Sequence, residues 1–198
     1  MTRQYHVIEN PTPEQWQRLL DWAVGHTDQV AFMIFDLHGP IPKPLRPFED
    51  RLVTAFTTCH YWGDRQMRAV RVLRFQLDEA LRDFLKARPA LADWGELPPA
   101  IMDPLFYGED DAPRLWTIAH EGLVFLWLDE NEAAWWQTQG LPLSPASDVI
   151  PPIIQENVPC VRHSWGDRLI MILGIIILLA FIGMAYYMIE GFLRVLGR

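Results

Sequence analysis

From Leu169 to Ile189 the chain reads LIMILGIIILLAFIGMAYYMI, twenty-one residues without a charge. A helix rising 1.5 Å per residue makes that run about 31 Å long, the thickness of a bilayer's hydrocarbon core. In lipid the backbone must satisfy its own hydrogen bonds, and a helix does so within one segment. Trp165 and Arg168 on one flank, with Tyr186, Tyr187 and Arg194 on the other, are residue types that anchor at a membrane interface. A buried helix of a soluble core rarely stays purely apolar beyond about fourteen residues. The sequence therefore predicts a single transmembrane helix over 169–189, able to run on to about 196, with 190–198 as a short tail. Glu190 precedes Arg194 by four residues, the favourable order for a helical ion pair. Near lipid such a pair can also meet another membrane subunit.

Residues 1–140 suffice for one globular domain. They hold 13 Lys and Arg against 21 Asp and Glu, so the chain's net charge of −8 lies there. An acidic surface repels phosphates, and no nucleic-acid partner is expected. Eight of the nine tryptophans precede residue 140, and indole surface suits a small core or an interaction face. The two cysteines, Cys59 and Cys160, read as free thiols of a reducing compartment. The opening MTRQYHVIENPTPEQW lacks an apolar h-region and does not read as a signal peptide. The domain is accordingly expected on the cytoplasmic side. Arginine counting does not choose a side, since Arg162 and Arg168 precede the helix and Arg194 and Arg198 follow it. Five prolines between 141 and 160 mark residues 141–168 as a semi-extended linker.

Within the domain, Thr12, Pro13 and Gln15 carry the signature of a capped helix start, and Trp16, Leu19, Leu20 and Ala23 give it one apolar face. Gly25 marks its stop. Gln29–Leu37 reads as a buried strand, and His38–Pro47, with four prolines, as irregular. Leu52–Cys59 reads as a strand, Trp62-Gly63-Asp64 as a turn, and 67–76 as strand in preference to helix. Asp78 then caps a short helix. Residues 94–104 read as a loop, Leu105–Tyr107 as a short apolar piece, and Arg114–His120 with Leu123–Leu128 as a hairpin around Glu121-Gly122. Asp129 and Glu132 open a last helix ending at Gly140. The expected class is α+β, a small, mainly antiparallel sheet with flanking helices.

Chemistry-bearing residues are sparse. His120 and Glu121 are the pair best suited to acid–base work, although neighbours on a strand point to opposite faces. Cys59 beside His60 invites a nucleophile or a ligand. A metal centre needs three or four ligands at motif spacing, which the chain lacks, and nothing asks for a cofactor. Arg65, Arg68, Arg71 and Arg74 form the single basic cluster, suited to lipid phosphate or an acidic partner. Glu109-Asp110-Asp111 lacks calcium-loop spacing.

The anchor, the reach of a proline linker and the tryptophan content favour a tail-anchored, single-pass protein. Its cytoplasmic domain would bind another protein, as an adaptor, accessory or immunity-type module, with the bilayer as its other partner. Two alternatives are an accessory subunit assembled through its helix and a membrane-tethered enzyme using His120, Glu121 or Cys59.

Overall fold

The computed structural model describes residues 4–62, 64–94, 101–109 and 111–146. The chain divides into two units, Met1–Cys160 and Val161–Arg198, and every described element lies in the first. The expected anchor with its flanking residues Trp165, Arg168, Tyr186, Tyr187, Glu190 and Arg194, and the linker beyond Ala146, lie outside the described residues. Among the described residues no helix is long and apolar enough to cross a membrane.

The fold is α+β. Among the described residues eight strands form one antiparallel sheet, larger than the sequence led us to expect. In chain order they are β1 (Gln4–Glu9), β2 (Gln29–Ile34), β3 (Leu52–Tyr61), β4 (Asp64–Gln76), β5 (Ile101–Tyr107), β6 (Pro113–Ile118), β7 (Leu123–Leu128) and β8 (Ser144–Ala146). Their order across the sheet is β3-β4-β2-β5-β6-β7-β1-β8. Three α-helices among the described residues, α1 (Pro13–His26), α2 (Glu79–Lys86) and α3 (Glu130–Thr138), join them.

Local chemistry sets the helices. Thr12 Oγ1 accepts from the Gln15 backbone while Gln15 Oε1 accepts from the Thr12 backbone, closing a capping box around Pro13. Asp129 and Glu132 do the same for α3. Asp78 caps α2 through the Leu81 N–H and also meets Arg51. Gly25 does not end α1, which continues to His26.

Four expectations need correction. The proline-rich stretch after His38 is not wholly irregular, because Lys43–Arg51 forms a 3-10 helix. Its prolines fall at the first turn and at Pro47, and the three-residue repeat brings Leu45 and Phe48 onto one buried side. The 94–104 loop is shorter than expected, since β5 starts at Ile101 and absorbs Asp103 and Pro104 through a bulge. Leu141–Ala146 is not linker: Leu141 is buried and β8 pairs with β1. Cys59 is disulfide-bonded, not a free thiol.

The sheet separates two apolar clusters. Every helix packs on one face, where Trp16, Leu19 and Leu20 of α1, Leu81 and Leu85 of α2 and Trp136 of α3 meet Val30, Phe32 and Leu126 of the strands. The opposite face gathers Met33, Val70, Val72, Leu105 and Trp116 with strand and turn residues alone.

Candidate functional site

The α1–α3 contact opens onto solvent as a groove of about 360 Å³ lined by Trp22, His26, Asn131, Glu132, Trp135 and Trp136. Helix periodicity builds it. Trp22 and His26 stand four apart on α1 and stack at 5.3 Å. Trp22 meets Trp136 edge-on at 6.0 Å, and Trp135 lies 4.6 Å from Trp136. Trp136 is buried against the core, but Trp135 is 49% exposed.

A second, polar cleft of about 550 Å³ adjoins this groove through His26 and Glu132, which line both. Arg114, at the start of β6, gives it its charge. Its side chain is 7% exposed, its Nη2 donates to Glu132 Oε1 at 2.5 Å, and its guanidinium lies 5.6 Å from the Trp22 ring. The Arg114 Nε has no partner among the described residues. Glu132 therefore holds the α3 capping box with one oxygen and Arg114 with the other. Arg82, Asp28 and Glu109 complete a wall of mixed charge. The arrangement joins an aromatic half to an ionic half, the pairing of residue types that dominates binding energy at protein interfaces.

A different constellation lies at the end of the sheet beside the β6–β7 turn. Asp103 is fully buried at φ 49°, and Trp62 adopts φ 58°. Both conformations cost energy for a non-glycine residue. The Asp103 carboxylate accepts from Trp62 Nε1 and from the Ala119 backbone, each at 2.6 Å. Burial pushes its pKa up to about 6, against those two donors and the nearby His120, with Glu121 adding a smaller upward push. His120 packs on Trp62 at 4.5 Å between ring centres, and its Nε2 lies 3.8 Å from Glu121 Oε1. His120 is thus not on a strand but in a 3-10 turn, Ala119–Glu121, and can share a side with Glu121. Both line a cleft of about 450 Å³ whose floor includes Asn10 and Gly122. Gly122 sits at φ 71°, and a Cβ there would meet Asn10 Oδ1 at 2.2 Å. Asp103 is not among the residues lining that cleft, so it pins the indole and the turn from behind. Its only trace in the sequence is an aspartate preceding a proline.

The other sequence candidates do not gather. Cys59 belongs to the disulfide and lies in neither cleft. Arg71 donates to the carbonyls of Gly39 and Pro40, tying the proline loop to β4. Arg74 pairs with Asp111 and lies 3.9 Å from the Tyr107 ring. Burial holds the Tyr107 hydroxyl up at about 12 despite that cation. Arg68 covers Phe35 at 5.0 Å, and the Arg65 side chain lies outside the described residues. A step of three along a strand sends successive arginines to opposite faces. Among the described residues no group of three or more His, Cys, Asp or Glu is placed to hold a metal ion.

Comparison with protein-family models, with curated proteins and with solved structures returns no significant match.

Proposed function

We propose that this is a membrane-anchored protein-binding module. The helix over 169–189 would hold it at the bilayer, and the α1–α3 face would take the partner. The observation that carries the reading is Trp135. A large apolar side chain left half exposed beside Trp22 and Trp136, next to the buried Arg114 and its partly exposed partner Glu132, has the composition of a binding hot spot. The acidic surface favours a partner with basic residues around an apolar anchor.

A photo-crosslinking residue at position 135 of the full chain, in its native membrane, tests this. The expected result is one stoichiometric protein adduct, lost on Trp22→Ala while the chain stays folded. Absence of any such adduct refutes the reading. Replacing 169–189 with an unrelated apolar helix separates the anchor from an accessory subunit assembled through its helix. Retained crosslinking at 135 supports the anchor, and lost crosslinking supports assembly through the helix.

The Cys59 disulfide bears on which side of the membrane the domain occupies. A disulfide at Cys59 persists in oxidising compartments and is rare in the cytosol. Accessibility labelling of an introduced cysteine at Val53, an exposed position, reads the side directly.

A second reading rests on His120 and Glu121 facing one cleft, as acid–base partners must. It requires a small substrate in that cleft. Binding of no metabolite by the wild type beyond a His120→Ala, Glu121→Ala control removes it.

A further inference from the structure

The polar cleft and the tryptophan groove are parts of a longer channel. A third cleft, of about 300 Å³, continues the groove past Trp22, Trp135 and Trp136 to Arg18, Asp21 and Gln139, and His26 lines all three. Along α1 the channel runs from Arg18 to His26, the last helical residue, and on to Asp28. The eight residue steps from Arg18 to His26 are about 12 Å, a little over two helical turns.

We propose that this channel takes an amphipathic helix of the partner, with a basic residue at the end that meets Asp28 and Glu109. That assignment rests on the α1–α3 face being the docking surface, and adds the kind of segment that docks there. Hydrogen bonding selects the helix. The middle of the channel is walled by side chains of α1 and α3, whose backbone groups are engaged within their own helices. The Trp22 carbonyl also meets His26 Nδ1, and the Trp135 carbonyl accepts from Thr138 Oγ1. An extended segment laid across the indoles would bury its own N–H and C=O groups against aromatic faces, without replacement partners. A helix satisfies its backbone internally and presents one apolar stripe to the groove.

Charge then sets the direction. In the middle of the channel Arg114 and Glu132 neutralise each other. At one end Arg18 bonds to Gln139, and Asp21 pairs with Lys86. At the other end Asp28 and Glu109 have no ion-pair partner among the described residues, and they outnumber Arg82, the arginine there that is likewise unpaired among them. The C-terminal end of α1 opens on that same cleft and adds its partial negative charge. A lysine or arginine of the partner is therefore favoured at that end and not at the Arg18 end.

Photo-crosslinking residues placed singly at Arg18, Gly25 and Trp135 of the full chain, in its native membrane, test this. Position 25 is open, since a Cβ there meets nothing within 4 Å. Positions 18 and 25 stand seven residues apart on α1, about 10.5 Å at 1.5 Å per residue. Mapped by mass spectrometry, all the adducts should fall in one partner segment. Those from 18 and 25 should lie about seven residues apart, the helical spacing, with a lysine or arginine within one turn of the adduct from 25. A separation of about three residues marks an extended segment, at roughly 3.3 Å per residue, and overturns the helix while leaving the docking face intact. Adducts from 18 or 25 in a protein other than the one captured at 135 do the same. No adduct at 135 refutes the docking face itself, and this inference with it. Glu109→Lys should lower the yield at 135 by about two- to fivefold, the worth of one surface ion pair. Glu14→Lys, in the first turn of α1 and outside the channel, should leave it unchanged. An equal loss from both variants, or a loss from neither, overturns the basic end of the partner helix.

Discussion

The two faces of the sheet bury apolar clusters of unequal size by different means, the helix-covered one much the larger, and the difference shows where this chain spends its polar residues. The helix-covered face closes with amphipathic helices at their ordinary spacing, capped by Thr12, Asp78 and Asp129. Among the described residues its strands bury Arg114, which is paired with Glu132, and His6, opposite Leu126, with neither ring nitrogen partnered. The other face carries charge and strain at its margins, in Arg74 over Tyr107, in Trp62 and in Asp103. Amphipathic helices do most of the sealing on the first face, whereas the second holds its polar pins at its margins.

That contrast can be broken most directly at Trp16, which is fully buried in the helix-covered core. Trp16→Ala should cost about 3–5 kcal/mol in denaturant unfolding of the detergent-solubilised chain. A loss below about 1 kcal/mol would mean that α1 is not a principal seal of that face. Next in size is the pH response of Asp103. Its folded pKa near 6 lies above the ordinary 3.8, so between about pH 4 and 6 the folded state holds a proton that the unfolded chain has released. Stability from this group therefore falls as pH rises through that window, by roughly 3 kcal/mol, and is level above it. Asp103→Asn should flatten that slope, at the cost of one donor, of Trp62 or Ala119, losing its acceptor, about 1–3 kcal/mol. An unchanged slope assigns it to other groups.

His6 should give the opposite sign on the opposite face. Burial lowers its pKa below the ordinary 6.5, so the unfolded chain takes up a proton first and stability falls as pH drops through 6.5. His6→Leu should remove that acid-side loss, and a variant that keeps it would show that the ring does not stay neutral in the fold. The smallest effect belongs to Trp135. Being half exposed, Trp135→Ala should change stability by less than about 0.5 kcal/mol while removing partner capture. A large loss of stability would make it a structural residue and sink the binding role.

The parts of the fold that local chemistry dictates could be read in the sequence. Both capping boxes, the β6–β7 hairpin and the passage from β4 through Asp78 into α2 follow from neighbours within a few residues. What could not be read depends on distant partners. β1, QYHVIE, has His6 where an apolar residue would have completed its alternation, and β7 stabilises it from the far end of the domain. β5 hides behind Asp103-Pro104, which becomes strand only because a bulge opposite Phe32 accommodates it. At the sites, His120 and Glu121 stood out by residue type, but their shared cleft depends on a 3-10 turn where a strand was expected. The α1–α3 groove left a trace in the adjacent tryptophans 135 and 136. Arg114 and Asp103 left none, because burial alone makes them notable.

The place of β1 in the sheet bears on how the chain is made. Gln4 pairs with Leu128, 124 positions later, and β1 is then flanked on its other side by β8. Of the described strands, β1 leaves the ribosome first and must wait for the last two before either of its edges is satisfied. Hairpins β3–β4 and β6–β7 can close as they emerge, but the sheet cannot be completed until β8 has emerged. Contacts of such separation slow folding, and a waiting strand with open edges is a natural client for chaperones. Quality control of this sheet would then begin at β1 and be discharged only when residue 146 has left the ribosome.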